Sequence, residues 1–313
     1  MMIQNVFIGE FMDLSTIKKI DIHSHVTANP EFSPKVYEGT SKLTPEQLIE
    51  IYDKVGVEKG VIMSLVSPES SSEIITSADV KRVCDQYPDR LLWFMGLDPR
   101  MAGNSPTANL SNLINFNKEL GAKGIGELTA HLYVDHPMMD NLFFHASECE
   151  MPVTIHIAPA IGNGYGIVDD LGLPRLEKML KKHKNLKILG HSQCFWSELS
   201  SDITEEYRNR YPKGKVSEGR IANLMRDYEG LYCDFSAGSG LNALRRDPEY
   251  TARFIEEFSD RILLGFDLVC PLNVHQYEFD KFLLQMIKDG YLSEENYYKF
   301  VRGNAVKLLK LEN

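Results

Sequence analysis

Short apolar and β-branched runs recur along the chain at 19–23, 60–66, 90–97, 123–128, 152–157, 186–190, 231–235 and 262–266. Runs of this length between polar turns read as strands buried on both faces. The segments between them carry helical spacing. Leu48, Ile51, Tyr52 and Val55 follow Thr44-Pro45-Glu46-Gln47, where Thr44 can cap and Pro45 takes the first helical position. Leu110, Leu113, Ile114, Asn117 and Leu120 precede Gly121, Leu173, Leu176, Met179 and Leu180 share a face, and Asp247-Pro248 opens a further helix. Strand–helix alternation implies a parallel sheet covered by helices, and eight such units predict a closed (β/α)8 TIM barrel. The rival is an open doubly wound sheet. Its commonest nucleotide-binding forms are excluded, because the chain has no G-x-G-x-x-G after the first strand and no G-x-x-x-x-G-K-[ST]. No linker rich in Pro, Gly and Ser divides residues 1–313, which predicts a single domain. The polar stretch 192–220, with Trp196, Tyr207, Arg208 and Arg210, predicts an elaborated loop over the active-site face or an ordinary solvated connection.

The candidate chemistry sits at the ends of the predicted strands. His23 and His25 end the first run in Asp21-Ile22-His23-Ser24-His25, where alternation puts both imidazoles on one side, able to share an ion. His156 ends the fifth run, His191 the sixth and Asp267 the eighth, all at the face where barrel enzymes carry their catalytic groups. Glu127 ends the fourth, and Asp234 and Ser236 at the seventh are placed to orient neighbours.

Composition narrows the partners. Of 313 residues, 43% are hydrophobic and 25% charged, the balance of a globular protein with a large core, which excludes disordered and fibrous classes. Lys plus Arg is 34 against 44 for Asp plus Glu, a net charge of −10 that opposes nucleic acid or an anionic membrane as partner and favours a small-molecule substrate. The five cysteines are scattered with no C-x-x-C pair, as expected of reduced thiols. With no signal-peptide pattern and no apolar run of membrane-spanning length, a cytoplasmic protein is expected. A homo-oligomer stays open.

Together, Asp21-Ile22-His23-Ser24-His25, Pro152-Val153-Thr154-Ile155-His156, Leu189-Gly190-His191, Leu264-Gly265-Phe266-Asp267 and the terminal Gly303-Asn304-Ala305-Val306-Lys307-Leu308-Leu309 resemble the amidohydrolase superfamily over nearly the whole chain. The likeness is to the amidohydrolase-related branch that includes aminocarboxymuconate-semialdehyde decarboxylase and 2-pyrone-4,6-dicarboxylate lactonase. The resemblance implies metal ligands His23, His25, His156 and Asp267, with His191 beside the bound water or substrate as catalyst or as a further ligand. Imidazoles and a carboxylate suit Zn2+ first and also Mn2+ or Fe2+. Asp267 is then the general acid/base, and His191 can stabilise an oxyanion.

Some members carry a carboxylated Lys or a Glu on the fourth strand to bridge two metals. No Lys stands there, so Glu127 is expected to bridge a second ion, join one shared shell, or hydrogen-bond a loop. One or two ions are therefore expected. Arg100 could grip a substrate carboxylate, Trp196 could cover a ring, and His131 could line the pocket, while His136 reads as a loop residue and His145, His183 and His275 as residues of helices or helix entries that face solvent or the groups behind the site. The leading reading is hydrolysis of a small amide, lactone or ester. Nonoxidative decarboxylation of a small carboxylated substrate is the alternative, and a noncatalytic ligand-binding barrel is the third.

Overall fold

The computed structural model describes residues 14–69 and 72–311. Its strands are β1 (Lys19–Ser24), β2 (Val57–Met63), β3 (Leu91–Met95), β4 (Gly124–Leu128), β5 (Val153–Ala158), β6 (Ile167–Val168), β7 (Ile188–His191), β8 (Leu231–Phe235) and β9 (Ile262–Leu264). All pair in parallel in the order β1-β2-β3-β4-β5-β7-β8-β9, with the two-residue β6 beside β5 and off that path. The ring closes just past β9, where Asp267 N donates to His23 O at 2.6 Å and His25 N to Leu268 O at 2.8 Å. Helices fill every interval of the barrel path, as the (β/α)8 expectation requires.

The helices form where the local signals put them. Thr44 accepts from Gln47 N while the Gln47 side chain returns to Thr44 N, a reciprocal cap that opens helix Pro45–Val55, and Leu48, Tyr52 and Val55 bury its inner face. Asp247 accepts from Tyr250 N to start helix Pro248–Glu257. Each such cap stabilises its helix by about 1 kcal/mol.

Two layers of core result. Ile20, Ile22, Val61, Met63, Phe94, Leu189 and Leu263 fill the barrel interior over the C-terminal residues Ala305, Leu308 and Leu309. The larger cluster, with Val57, Leu91, Ile125, Val153, Ile155, Ile188 and Leu231, lies between strands and helices.

Two bulges then set the site. From Asp21 to Ser24 three steps of β1 run against two steps of β2 (Gly60 to Ile62), and from Ile125 to Leu128 three steps of β4 run against two of β5 (Val153 to Ile155). One extra residue reverses the in–out alternation. Asp21 therefore faces the helices, accepting from Tyr52 Oη and Ser24 Oγ at 2.6 Å each, while His23 turns inward above Ile22, and Glu127 turns inward although Ile125 faces out.

The stretch 192–220 begins as helix Gln193–Ser197 and ends at helix Arg220–Asp227. It is packed down on the protein, for Arg208 is fully buried and donates to Asp169 O at 2.9 Å and Asp170 O at 3.3 Å. No helix among the described residues is long and apolar enough to cross a membrane.

Candidate active site

His23, His25, Glu127, His156, His191 and Asp267 converge inside the C-terminal mouth of the barrel. Three imidazoles are anchored through Nδ1. His23 Nδ1 donates to Asp234 Oδ2 at 2.6 Å, His25 Nδ1 lies 3.3 Å from Met63 O, and His191 Nδ1 lies 2.8 Å from Ser236 Oγ. Holding Nδ1 in this way leaves Nε2 as the nitrogen that can turn its lone pair to an ion once any proton on it is given up. His23 Nε2 and His25 Nε2 stand 3.2 Å apart, and Asp267 Oδ1 lies 3.6 Å from the first and 3.5 Å from the second. Donors bound to one ion at about 2.0–2.2 Å sit roughly 3–3.5 Å from each other, so this set fits a divalent cation.

Glu127 occupies the centre with its two oxygens facing different groups. Oε2 lies 3.6 Å from His25 Nε2 and 4.0 Å from His23 Nε2, whereas Oε1 lies 2.7 Å from His156 Nδ1 and 3.9 Å from His191 Nε2. Among the described residues, the sets close enough to hold one ion are His23, His25 and Asp267, and His23, Glu127 and His191. His156 lies outside both and reaches the cluster through Glu127.

Charge in the metal-free site is unevenly shared. Burial opposes a proton on His23, but Asp234, Asp267 and Glu127 outweigh it and push its pKa up to about 10. Burial and the charge of His23 hold His25 down at about 3 and keep His191 well below the usual range. Asp267 is pushed up to about 7 by burial, against the pull of His23 and with the help of Glu127, Asp234 and Asp21. Burial disfavours the charge of Glu127 too, yet His156, His23 and His191 hold it below the usual carboxylate range.

The amidohydrolase family model matches residues 20–311. The chain belongs to the amidohydrolase family. No curated protein sequence matches it. Solved structures share the fold at low identity. 2,6-Dihydroxybenzoate decarboxylase from Rhizobium is 15% identical, with a TM-score of 0.61 over 95% of this chain and 99% of that one. A probable 2-pyrone-4,6-dicarboxylic acid hydrolase from Acinetobacter baumannii is 13% identical, with a TM-score of 0.56 over 94% and 99%. The manganese-bound D314N mutant of 5-carboxyvanillate decarboxylase from Novosphingobium aromaticivorans is 17% identical, with a TM-score of 0.63 over 96% and 99%.

In this member of the family, two expected substrate contacts stand elsewhere. Trp196 is buried and stacks on Phe235 with ring centroids 4.0 Å apart, and Phe235 meets Phe254 and Phe300. Phe235 is the outward neighbour of inward Asp234, so Trp196 belongs to the layer between strands and helices and cannot cover a ring in the barrel. Arg100 is already engaged, bonding Asp98 and Glu69 with contacts of 2.7 and 2.8 Å, so its charge is answered within the protein. His131 ties a loop instead, lying 3.2 Å from Gly166 O and accepting from Gly162 N at 2.6 Å. His145, His183 and His275 bond Ser111, Asp140 and Phe266 O respectively, while His136 caps helix Pro137–Glu148.

The loop tied by His131 carries a residue that sequence reasoning missed. Tyr165 lies over His156 with ring centroids 4.3 Å apart. Burial raises its phenol pKa well above the ordinary value, with Glu127 and Asp267 close enough to add to the effect. The available signal was the Gly162-Asn163-Gly164-Tyr165-Gly166 run. A Cβ at Gly166, which has φ 113°, would stand 2.5 Å from His156 O, so only glycine lets the loop close on the histidine.

Proposed function

We propose that the chain is a metal-dependent hydrolase that opens a small ester, lactone or amide, in which His23, His25 and Asp267 would hold one ion and Glu127 and His191 would hold a second beside His23, with His156 anchoring Glu127. The observation that carries this reading is the division of Glu127 between the two groups of histidines, because two neighbouring cations need an anion between them. Histidine nitrogens with carboxylate oxygens suit Zn2+ first, then Mn2+ or Fe2+. When bound, such ions supply Lewis acidity, polarising a substrate carbonyl and making water acidic enough to ionise near neutral pH.

The protein residues do the rest. Asp267 Oδ2 lies 3.7 Å from His191 Nε2, while Oδ1 faces the His23 and His25 pair. It takes the proton from attacking water and returns it to the leaving group. Asp234 and Ser236 hold His23 and His191 in position, and Tyr165 covers His156 on the solvent side.

Decarboxylation is the second reading, because a proton taken up by Asp267 during the reaction could be delivered to a carbon that has lost CO2. Metal-loaded protein incubated in 18O-water with a panel of aryl esters, lactones, N-acyl amino acids and hydroxybenzoates separates the two. Hydrolysis places 18O in the product acid. Release of CO2 with no 18O uptake overturns the hydrolase reading.

A further inference from the structure

The end of the barrel opposite the metal ligands holds a cavity that the hydrolytic reading does not use. Its volume is about 800 Å3, and it lies among the turns that lead into β5, β7, β8 and β9, against the C-terminal residues Lys307, Leu308 and Lys310. Small-molecule sites commonly span roughly 300–1,000 Å3.

The sheet fixes its walls. Lys187 O accepts from Val153 N and Arg261 O from Cys233 N, both at 2.9 Å, and Gly230 O accepts from Ile188 N at 2.8 Å. A Cβ at Gly230 would stand 2.1 Å from Leu186 O, so only glycine lets the turn before β8 close on the turn before β7. The β5–β7 and β7–β8 pairings run without a bulge, so alternation holds at this end. Ile188, Leu231 and Cys233 face the helices, which turns Lys187 and Tyr232 inward to the cavity.

The lining is cationic although the chain carries a net charge of −10. Lys184, Lys187, Arg261, Lys307 and Lys310 stand against Glu150, Glu229 and Asp260. Two of these carboxylates are already answered, Glu150 by Lys310 at 2.9 Å and Asp260 by Lys299 at 3.3 Å. Arg261 Nη1 donates to the carbonyls of Tyr228 and Leu231. Among the described residues, Lys184, Lys187 and Lys307 have no carboxylate within ion-pair distance, and Glu229 is the one lining carboxylate without an ion pair. Three lysines, two from the turn before β7 and one from helix Asn304–Leu308, thus surround one concave space with an excess of positive charge. Lysine binds phosphate as a point charge, and several ammoniums around one space suit an anion of more than one charge. The concavity takes a small molecule, while the net charge of the protein works against an extended polyanion.

We propose that this cavity binds a small organic phosphate of two or more negative charges, held by Lys184, Lys187 and Lys307 with the Tyr232 phenol beside them. The site goes beyond the hydrolytic reading and stands whichever reaction the other end of the barrel carries out.

Calorimetry with fructose 1,6-bisphosphate on the metal-loaded protein tests it, with fructose as the uncharged control. Wild type should bind the bisphosphate and not the sugar. Lys187→Gln and Lys307→Gln should each weaken binding by about 10-fold and together by about 100-fold, while Glu229→Gln, which removes the opposing charge, should tighten it by about 2- to 5-fold. All three side chains are exposed, so the barrel should fold in every variant, as circular dichroism would verify. Asp267→Asn, at the far end, should bind as wild type does. No binding by wild type, or equal affinity in the double lysine variant, overturns the proposal. Binding lost in Asp267→Asn and kept in the lysine variants overturns it too, by placing the bisphosphate on the metal site.

Discussion

Asp234 Oδ2 accepts a 2.6 Å hydrogen bond from His23 Nδ1, and both side chains are fully buried. This pair sets the tautomer of the histidine nearest the centre of the cluster and aims its Nε2 at His25 and Asp267. Outer partners of this kind typically contribute 10- to 100-fold in metal affinity. Asp234→Asn should therefore weaken metal binding by about that factor while the barrel still folds, as read by chelator competition and circular dichroism. Equal affinity in variant and wild type would show that the contact is incidental.

Gly265 leaves the space this pair needs. A Cβ there would stand 2.7 Å from Asp234 Oδ1 and 3.1 Å from His23 Cβ, both in a packed interior. Gly265→Ala should cost about 1–3 kcal/mol of stability and lower metal affinity together. Thermal unfolding and metal titration of the one variant check both, and a normal value in either separates packing from positioning.

Metal uptake should expel protons in a pH-dependent number. In the metal-free protein His23 holds its proton up to about pH 10 and Asp267 up to about pH 7, whereas His25 with its pKa at about 3 has none to give. An ion on these residues displaces about two protons below pH 7 and about one between pH 7 and pH 10, so affinity falls as pH falls and falls more steeply below 7. Calorimetry in buffers of differing ionisation enthalpy counts the protons. A pH-independent count would mean that His23 and Asp267 do not bind the ion.

Trp196 should matter to stability rather than to substrate. Removing its ring from the stack with Phe235 by Trp196→Ala should cost about 3–5 kcal/mol, and Trp196→Phe much less. KM of the phenylalanine variant should match wild type. A raised KM with normal stability would return Trp196 to the pocket.

The contrast between Trp196 and His191 shows what could be read from the sequence. A ligand-type residue at the end of an apolar run is visible in the linear pattern, and His23, His25, His156, His191, Asp267 and Glu127 all reach one cluster. Which side of the sheet a residue takes is visible only while alternation holds. The bulges in β1 and β4 break it at His23 and Glu127, and Trp196 lies on a short helix beyond the strand, where alternation says nothing. Partnering is also non-local. Arg100 bonds Asp98 two residues away, but its second carboxylate, Glu69, is distant in sequence and invisible in the linear pattern.

The central claim is that Glu127 joins two ion positions, and metal titration of stripped protein tests it most directly. Wild type should take up two equivalents of Zn2+, whereas Glu127→Gln, which keeps the shape and removes the charge, should retain one, as should His191→Asn. One equivalent with equal affinity in wild type and Glu127→Gln would contradict the account, leaving Glu127 as a hydrogen-bond partner of His156.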